Sequence, residues 1–235
     1  MSPASFTTHD YTFTVLPLGP LEENTILLQP SGQKQVWLFD PGSDAPAVQA
    51  YLKQHHLTPT ALWHTHGHFD HMGGSAFFPS TLPGYLAQED LVLYAQVERY
   101  AVMFKMAVKY DPQRCWQDLP AGASFTNDFT AAPTLVAAET PNANSFMQVL
   151  ATPGHTPGGR CFYFKDLGVL ISGDTLFAGA VGRTDLPGGN WEQLQASLRS
   201  KILALPDPTI ILPGHGPQTT LAAEKNANPY LQDLI

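Results

Sequence analysis

His64-Thr65-His66-Gly67-His68-Phe69-Asp70-His71 puts four of the chain's nine histidines and one aspartate into eight positions, and Met72-Gly73-Gly74 follows. Neutral imidazoles crowded together are hard to satisfy with hydrogen bonds, and charged ones repel. A metal ion removes both problems, since imidazole is its commonest ligand. Three more polar residues stand where an apolar run opens into a Gly-rich loop: His155 in TPGHTPGG, Asp174 in LISGDT and His215 in LPGHGP. His66, His68, Asp70, His71, His155, Asp174 and His215 make seven candidate ligands. A catalytic zinc takes about three or four protein ligands, so seven suit two ions with three private ligands each and one shared carboxylate. A carboxylate has two oxygens and can bridge, whereas a neutral imidazole cannot, so Asp70 or Asp174 is the bridge. Nitrogen and oxygen donors without thiolate suit Zn, Fe or Mn, and leave the metal open.

The elements that must hold these residues are legible in outline. YTFTVLPLG (11–19), NTILLQ (24–29) and QVWLFDPG (35–42) read as strands, the last ended by Asp40-Pro41-Gly42. DAPAVQAYLKQHHL (44–57) reads as an amphipathic helix capped by Asp44, and TALWHT (60–65) as a buried strand that delivers the chain to the histidines. QEDLVLYAQVERYAVMFKMAVKY (88–110) is the longest helical pattern. Residues 111–146 predict loops and short strands. FMQVLATPG (146–154), RCFYFK (160–165), GVLISGD (168–174) and TIILPGHG (209–216) are further strands. A helix capped by Asn190 spans 190–205, and a short closing helix spans 218–226. Strands and helices in this order predict α/β layers in one domain over 1–235, with helices covering sheets.

Composition narrows the function. The 235 residues are 43% apolar and 14% charged, with a net charge of −8 and only 12 Lys and Arg. There is no basic stripe, so no nucleic-acid partner is expected. MSPASFTTHDYTF lacks the basic and apolar regions of a secretory signal, and no apolar run approaches a membrane span. Cys115 and Cys161 make no disulfide framework and are both expected as buried, reduced thiols. These features together predict a cytoplasmic protein with no membrane partner.

THGHFDH at 65–71 matches the T-H-x-H-x-D-H signature of the metallo-β-lactamase superfamily, and the chain resembles that superfamily from about residue 11 to 232. TPGHTPGG, ISGDTLFAGAVGRTDLPGG and ILPGHGPQTTLAAEKNANPYL bring it closest to glyoxalase II, the hydroxyacylglutathione hydrolases, in the short bacterial form that lacks a C-terminal helical domain. The resemblance implies a four-layer αββα sandwich. It assigns His66, His68 and His155 to a first divalent ion and Asp70, His71 and His215 to a second, with Asp174 as the bridge. Zinc is the expected metal, with iron or manganese as alternatives.

The implied reaction is thioester hydrolysis, as of S-D-lactoylglutathione. Two ions roughly 3.5–4 Å apart hold a bridging hydroxide at neutral pH, Asp70 steers it, and a thiolate leaves without a strong acid. Arg183 stands where related thioesterases place a Lys for a substrate carboxylate, and a salt bridge with Asp185 is its structural alternative. The protein is expected as a monomer or homodimer acting on a small molecule. A lactonase or other acyl hydrolase on the same fold, and a mononuclear iron persulfide dioxygenase that shares GRTD, are the competing readings. His64 departs from the usual aliphatic residue and is expected to pack beside the ligands or orient one of them. His9, His55 and His56 are expected at the surface.

Overall fold

The computed structural model of the protein describes residues 3–106, 108–136 and 145–235. It divides into two compact units, Met1–Asp118 with Asp128–Pro133, and Leu119–Asn127 with Thr134–Ile235.

The first unit is built on a seven-stranded sheet in sequential order. Its strands are β1 (Ala4–Thr8), β2 (Tyr11–Leu18), β3 (Glu23–Pro30), β4 (Gln35–Phe39), β5 (Thr58–Trp63), β6 (Gly84–Tyr85) and β7 (Trp116–Gln117). β1 to β4 pair antiparallel, and β4 to β7 pair parallel. Strand alternation divides the apolar residues between the two faces. Leu27, Leu38 and Leu62 pack with Val48 and Leu52 of helix α1 (Ala45–Gln54), the connection between β4 and β5. Trp37, Phe39 and Trp63 occupy the other face and are fully buried; Trp63 stacks on Tyr85 at 4.0 Å and Trp37 on Phe129 at 4.2 Å. Asp44 caps α1 by accepting from the Ala47 amide at 3.3 Å, as expected. The register Phe39↔Trp63 ends β4 and β5 together, so Asp40 and His64 leave the sheet as neighbours.

The long helix expected over 88–110 is instead α3 (Leu91–Tyr94) and α4 (Val97–Met103), preceded by a 3₁₀ turn at Gln88–Asp90. Leu91, Val92, Val102 and Met103 are exposed, so the apolar residues do not share one continuous face. Lys105, in the left-handed region at φ 57°, turns the chain out of α4. Ala107, within the same expectation, lies outside the described residues.

The second unit carries strands β8 (Ser124–Phe125), β9 (Leu135–Val136), β10 (Met147–Ala151), β11 (Arg160–Phe164), β12 (Val169–Gly173), β13 (Leu176–Phe177), β14 (Ala180–Val181), β15 (Ile210–Pro213) and β16 (Thr219–Thr220). Seven of them form a sheet in the order β16-β15-β12-β11-β10-β8-β9, and β13-β14 is a separate hairpin. The short strands expected within 111–146 are β7, β8 and β9; residues 137–144 lie outside the described set. Helix α5 (Trp191–Ser197) is capped by Asn190, which accepts from the Gln193 amide at 2.9 Å. Its Leu194, with Leu198 and Ile202 beyond it, packs on Leu150, Cys161, Leu170 and Ile211 of the sheet. Helix α6 (Leu221–Ala227) closes the unit.

Two large sheets with helices match the expected α/β class. Among the described residues no helix is long and apolar enough to cross a membrane. Cys161 is buried as expected, but Cys115 is exposed: it falls in the irregular chain before β7, outside any apolar cluster.

Candidate metal centre

In the first unit, the site begins where β5 ends. Residues 64–68 form an extended loop that leads into α2 (Phe69–Met72), one turn that carries Asp70 and His71. The loop is clamped at Gly67, whose amide donates to Asp90 Oδ2 at 2.8 Å. A Cβ at Gly67 would meet the Asp90 carbonyl oxygen at 2.7 Å, so only glycine fits between His66 and His68.

The imidazoles converge. His66 Nε2 lies 3.1 Å from His68 Nδ1, and the His66 and His71 ring centroids are 4.1 Å apart. His71 Nε2 stands 3.9 Å from Asp70 Oδ2. Asp40 sets the orientation of two of these rings. Its Oδ2 accepts from His71 Nδ1 at 3.0 Å and from Thr65 Oγ1 at 2.6 Å, and its Oδ1 accepts from the Thr65 amide at 2.8 Å. With its proton committed to Asp40, Thr65 Oγ1 is left to accept from His66 Nδ1 at 3.0 Å. Both His66 and His71 are therefore held with Nδ1 protonated and Nε2 presenting a lone pair, the arrangement a metal-bound histidine requires. This tests the fit: a His66 Nε2 lone pair aimed 3.1 Å from another imidazole nitrogen suits a pair of donors sharing a cation.

Asp40 itself is held in the left-handed region at φ 45°, which Asp tolerates better than most residues. From the sequence Asp40 is expected only to end a strand, with Pro41 and Gly42. It sits just past a strand end, the setting that marked His155, Asp174 and His215, and that signal was available. Glu23 belongs to the same buried group: its Oε1 lies 3.9 Å from His71 Nδ1 and its Oε2 accepts from Thr25 Oγ1 at 3.3 Å. Burial pushes the Glu23 carboxyl well above the usual range, against the pull of His71.

His64 is fully buried. Its Nε2 is 2.9 Å from Ser75 Oγ, its Nδ1 is 3.7 Å from Asp40 Oδ1, and its ring meets Trp116 edge-on at 5.0 Å. Burial pushes its pKa down to about 3, so the ring is neutral. The packed role expected of it is the one observed. His9, His55 and His56 are exposed, as expected.

The second unit presents the other three candidates. β12 and β15 are parallel neighbours that end in step, Gly173↔Pro213, and the Gly214 amide donates to the Gly173 carbonyl at 2.9 Å. That register sets Asp174 beside His215. Asp174 Oδ2 lies 3.4 Å from His155 Nε2 and 3.8 Å from His215 Nε2, so one carboxylate faces two imidazoles. His155 Nδ1 donates to the Arg183 carbonyl at 2.7 Å, which leaves its Nε2 as the acceptor on the Asp174 side. Gly182 packs so closely on the Asp174 carbonyl oxygen that no Cβ fits there.

The Arg183 side chain makes the salt bridge with Asp185 that was its structural alternative. Nε and Nη2 each donate at 2.7 Å to a different carboxylate oxygen. The guanidinium pulls the Asp185 carboxyl down to about 2, though both side chains are well exposed.

All the donors come from nitrogen and oxygen, and each unit's set is built at strand ends. A family model described as Metallo-beta-lactamase superfamily matches residues 18–215. The chain belongs to the metallo-β-lactamase superfamily. Curated relatives of this superfamily member include "Probable metallo-hydrolase YqgX" of Bacillus subtilis, 35% identical over 92% of this chain and 95% of the relative. Another is "Hydroxyacylglutathione hydrolase GloC" of Haemophilus influenzae, 32% identical over 92% of this chain and 96% of the relative. Among solved structures, TTHA1623 in a di-iron-bound form is 36% identical, with a TM-score of 0.77 over 92% of this chain and 99% of that one. In this superfamily member the His/Asp donor sets are candidate metal-binding groups.

Proposed function

We propose that the chain is a binuclear metal-dependent hydrolase of acyl thioesters such as S-D-lactoylglutathione, with 1–235 working as one domain. In this reading His66, His68 and His155 hold one divalent ion, Asp70, His71 and His215 hold the other, and Asp174 is shared. The observation that carries the binuclear part is Asp174, a single carboxylate set between two imidazole nitrogens at 3.4 and 3.8 Å. The di-iron-bound relative supports two ions. Zinc is the preferred metal, and iron or manganese also suit these donors. The thioester class is supported by the full-length likeness to the relative named GloC.

Bound ions would lower the pKa of a nucleophilic water and polarise the substrate carbonyl. The chain's own residues do the rest. Asp40 and Thr65 fix the tautomers of His71 and His66 before any substrate arrives. The Asp70 carboxylate would accept a hydrogen bond from the attacking water and aim it. A thiolate leaves without protonation, which suits a site whose polar groups are donors to metal rather than acids. Arg183, exposed and already paired to a carboxylate, has the planar fork that would take the carboxylate of an anionic substrate in exchange for Asp185.

The test is hydrolysis of S-D-lactoylglutathione by the metal-loaded protein, followed by release of free thiol. Turnover that disappears after chelation and returns with metal is the expected result. Absence of turnover on this and on simple acyl thioesters contradicts the thioester reading. Oxygen consumption with glutathione persulfide would replace it with the dioxygenase.

A further inference from the structure

The stretch TLAAEKNANPYL, which follows His215, supplies no donor to the site, yet two of its polar side chains are buried: Glu224 in α6 and Asn228 just beyond it. Both reach the β13–β14 hairpin. That hairpin has two residues in each strand and, among the described residues, pairs with no strand of the large sheet. A lone two-stranded hairpin is marginal at best, so its position depends on what it packs against. Leu176 and Val181 pack on the core of the second unit, but the turn residues Ala178 and Gly179 are exposed. The buried pair holds the backbone of that turn. Glu224 Oε2 accepts from the Gly179 amide at 2.8 Å and from Asn228 Nδ2 at 2.8 Å, and its Oε1 accepts from Thr219 Oγ1 at 2.6 Å. Asn228 Nδ2 also reaches the Ala180 carbonyl at 3.1 Å and the Phe177 carbonyl at 3.4 Å. The same hairpin bears on all three donors of this unit. Gly182, directly after β14, packs on the Asp174 carbonyl oxygen, and the Arg183 carbonyl takes the His155 Nδ1 proton at 2.7 Å. The Phe177 ring meets the His215 ring at 69° with centroids 6.2 Å apart.

We infer that Glu224 and Asn228 are positioning residues of the metal centre. They hold the β13–β14 hairpin so that the Arg183 carbonyl keeps the Nδ1 proton of His155 and Nε2 is left to face Asp174. This rests on the reading of His155 as a metal ligand above. An outer partner that fixes the tautomer of a ligating histidine raises its affinity for metal, and here that partner is a backbone carbonyl that cannot be placed by its own side chain. The buried pair places it through the hairpin.

The experiment has two readouts on the full chain: the tautomer of His155 by nitrogen-15 NMR of the histidine-labelled, metal-free protein, and zinc affinity by competition with a chelator indicator. The resonance lost in His155→Gln identifies the ring. The unaltered protein should show His155 protonated at Nδ1. Asn228→Ala should give a mixture of tautomers and weaken zinc binding about tenfold, the lower end of the range for loss of an outer partner. Glu224→Gln should leave both readouts unaltered, because its one amide oxygen can take the Gly179 and Asn228 donors while its amide nitrogen donates to the Thr219 hydroxyl. Thr219→Val, on the edge strand β16, removes one donor to Glu224 and should shift both readouts the same way by less. It decides the matter if Asn228→Ala does not fold. A folded Asn228→Ala that melts at lower temperature but keeps the tautomer and the zinc affinity reduces the pair to packing and overturns this inference alone. An unaltered protein that binds no zinc overturns the ligand reading beneath it, and this inference with it.

Discussion

Asp174→Ala lowers kcat/KM on thioester substrate by on the order of 10³-fold and leaves fewer metal ions per chain. The size follows from what the residue does in the proposed centre. Removing one preorganised hydrogen-bond donor to a developing oxyanion costs roughly 10² to 10³ in rate, and the loss of a carboxylate shared by two proposed ions should cost at least the upper end of that range. The Asp174 carboxylate also stands between His155 and His215, at 3.4 and 3.8 Å, and supplies the negative charge that their set of imidazoles lacks. The fold should survive the change, because the strands that lead to Asp174 are held by the β12–β15 register and by buried Leu170, Ile171, Ile211 and Leu212. Steady-state kinetics and elemental analysis on the same preparation check the result, with near-ultraviolet circular dichroism as the control for packing. A variant that keeps its metal and most of its activity would refute the bridging role.

Asp40→Asn weakens metal binding by about 10- to 100-fold, the range found when an outer partner of a ligating histidine is removed. Asn tolerates the left-handed backbone at φ 45°, so the substitution tests charge and hydrogen bonding rather than strain. The amide has one acceptor oxygen where the carboxylate offers two, and three donors compete for it: His71 Nδ1, Thr65 Oγ1 and the Thr65 amide. The predicted loss is therefore shared by His71 directly and by His66 through Thr65. Competition with a chelator indicator measures it, and added metal should recover much of the activity. Affinity unchanged from the unaltered protein would remove Asp40 from the account.

The seven candidate donors stand out in the sequence because they sit in short motifs, and each motif states its own setting. THGHFDH follows a buried strand, and His155, Asp174 and His215 follow apolar runs that open at glycine. Capping was legible for the same local reason: Asp44 and Asn190 both accept from the expected amides. What was not legible depends on register. Nothing within a few residues of Asp40 says that Thr65 and His71 will reach it. That meeting is made by β4 and β5 running parallel and ending together at Phe39 and Trp63. Glu23 enters the same group only because β3 pairs with β4 at Ile26↔Phe39. Periodicity over 88–110 failed for a related reason. It counts apolar residues but does not see that Asp90 is engaged with the Gly67 amide, or that Lys105 turns left-handed after Phe104. The result is two short helices and an exposed apolar end, where the pattern predicted one continuous helix.

We propose that this chain holds two metal ions through His66, His68, Asp70, His71, His155, Asp174 and His215. Elemental analysis of the purified protein after metal loading and removal of excess tests it most directly. The account predicts close to two divalent ions per chain, falling in the Asp174→Ala variant. One ion per chain, unchanged by that substitution, would contradict it and leave the first three histidines as the whole site.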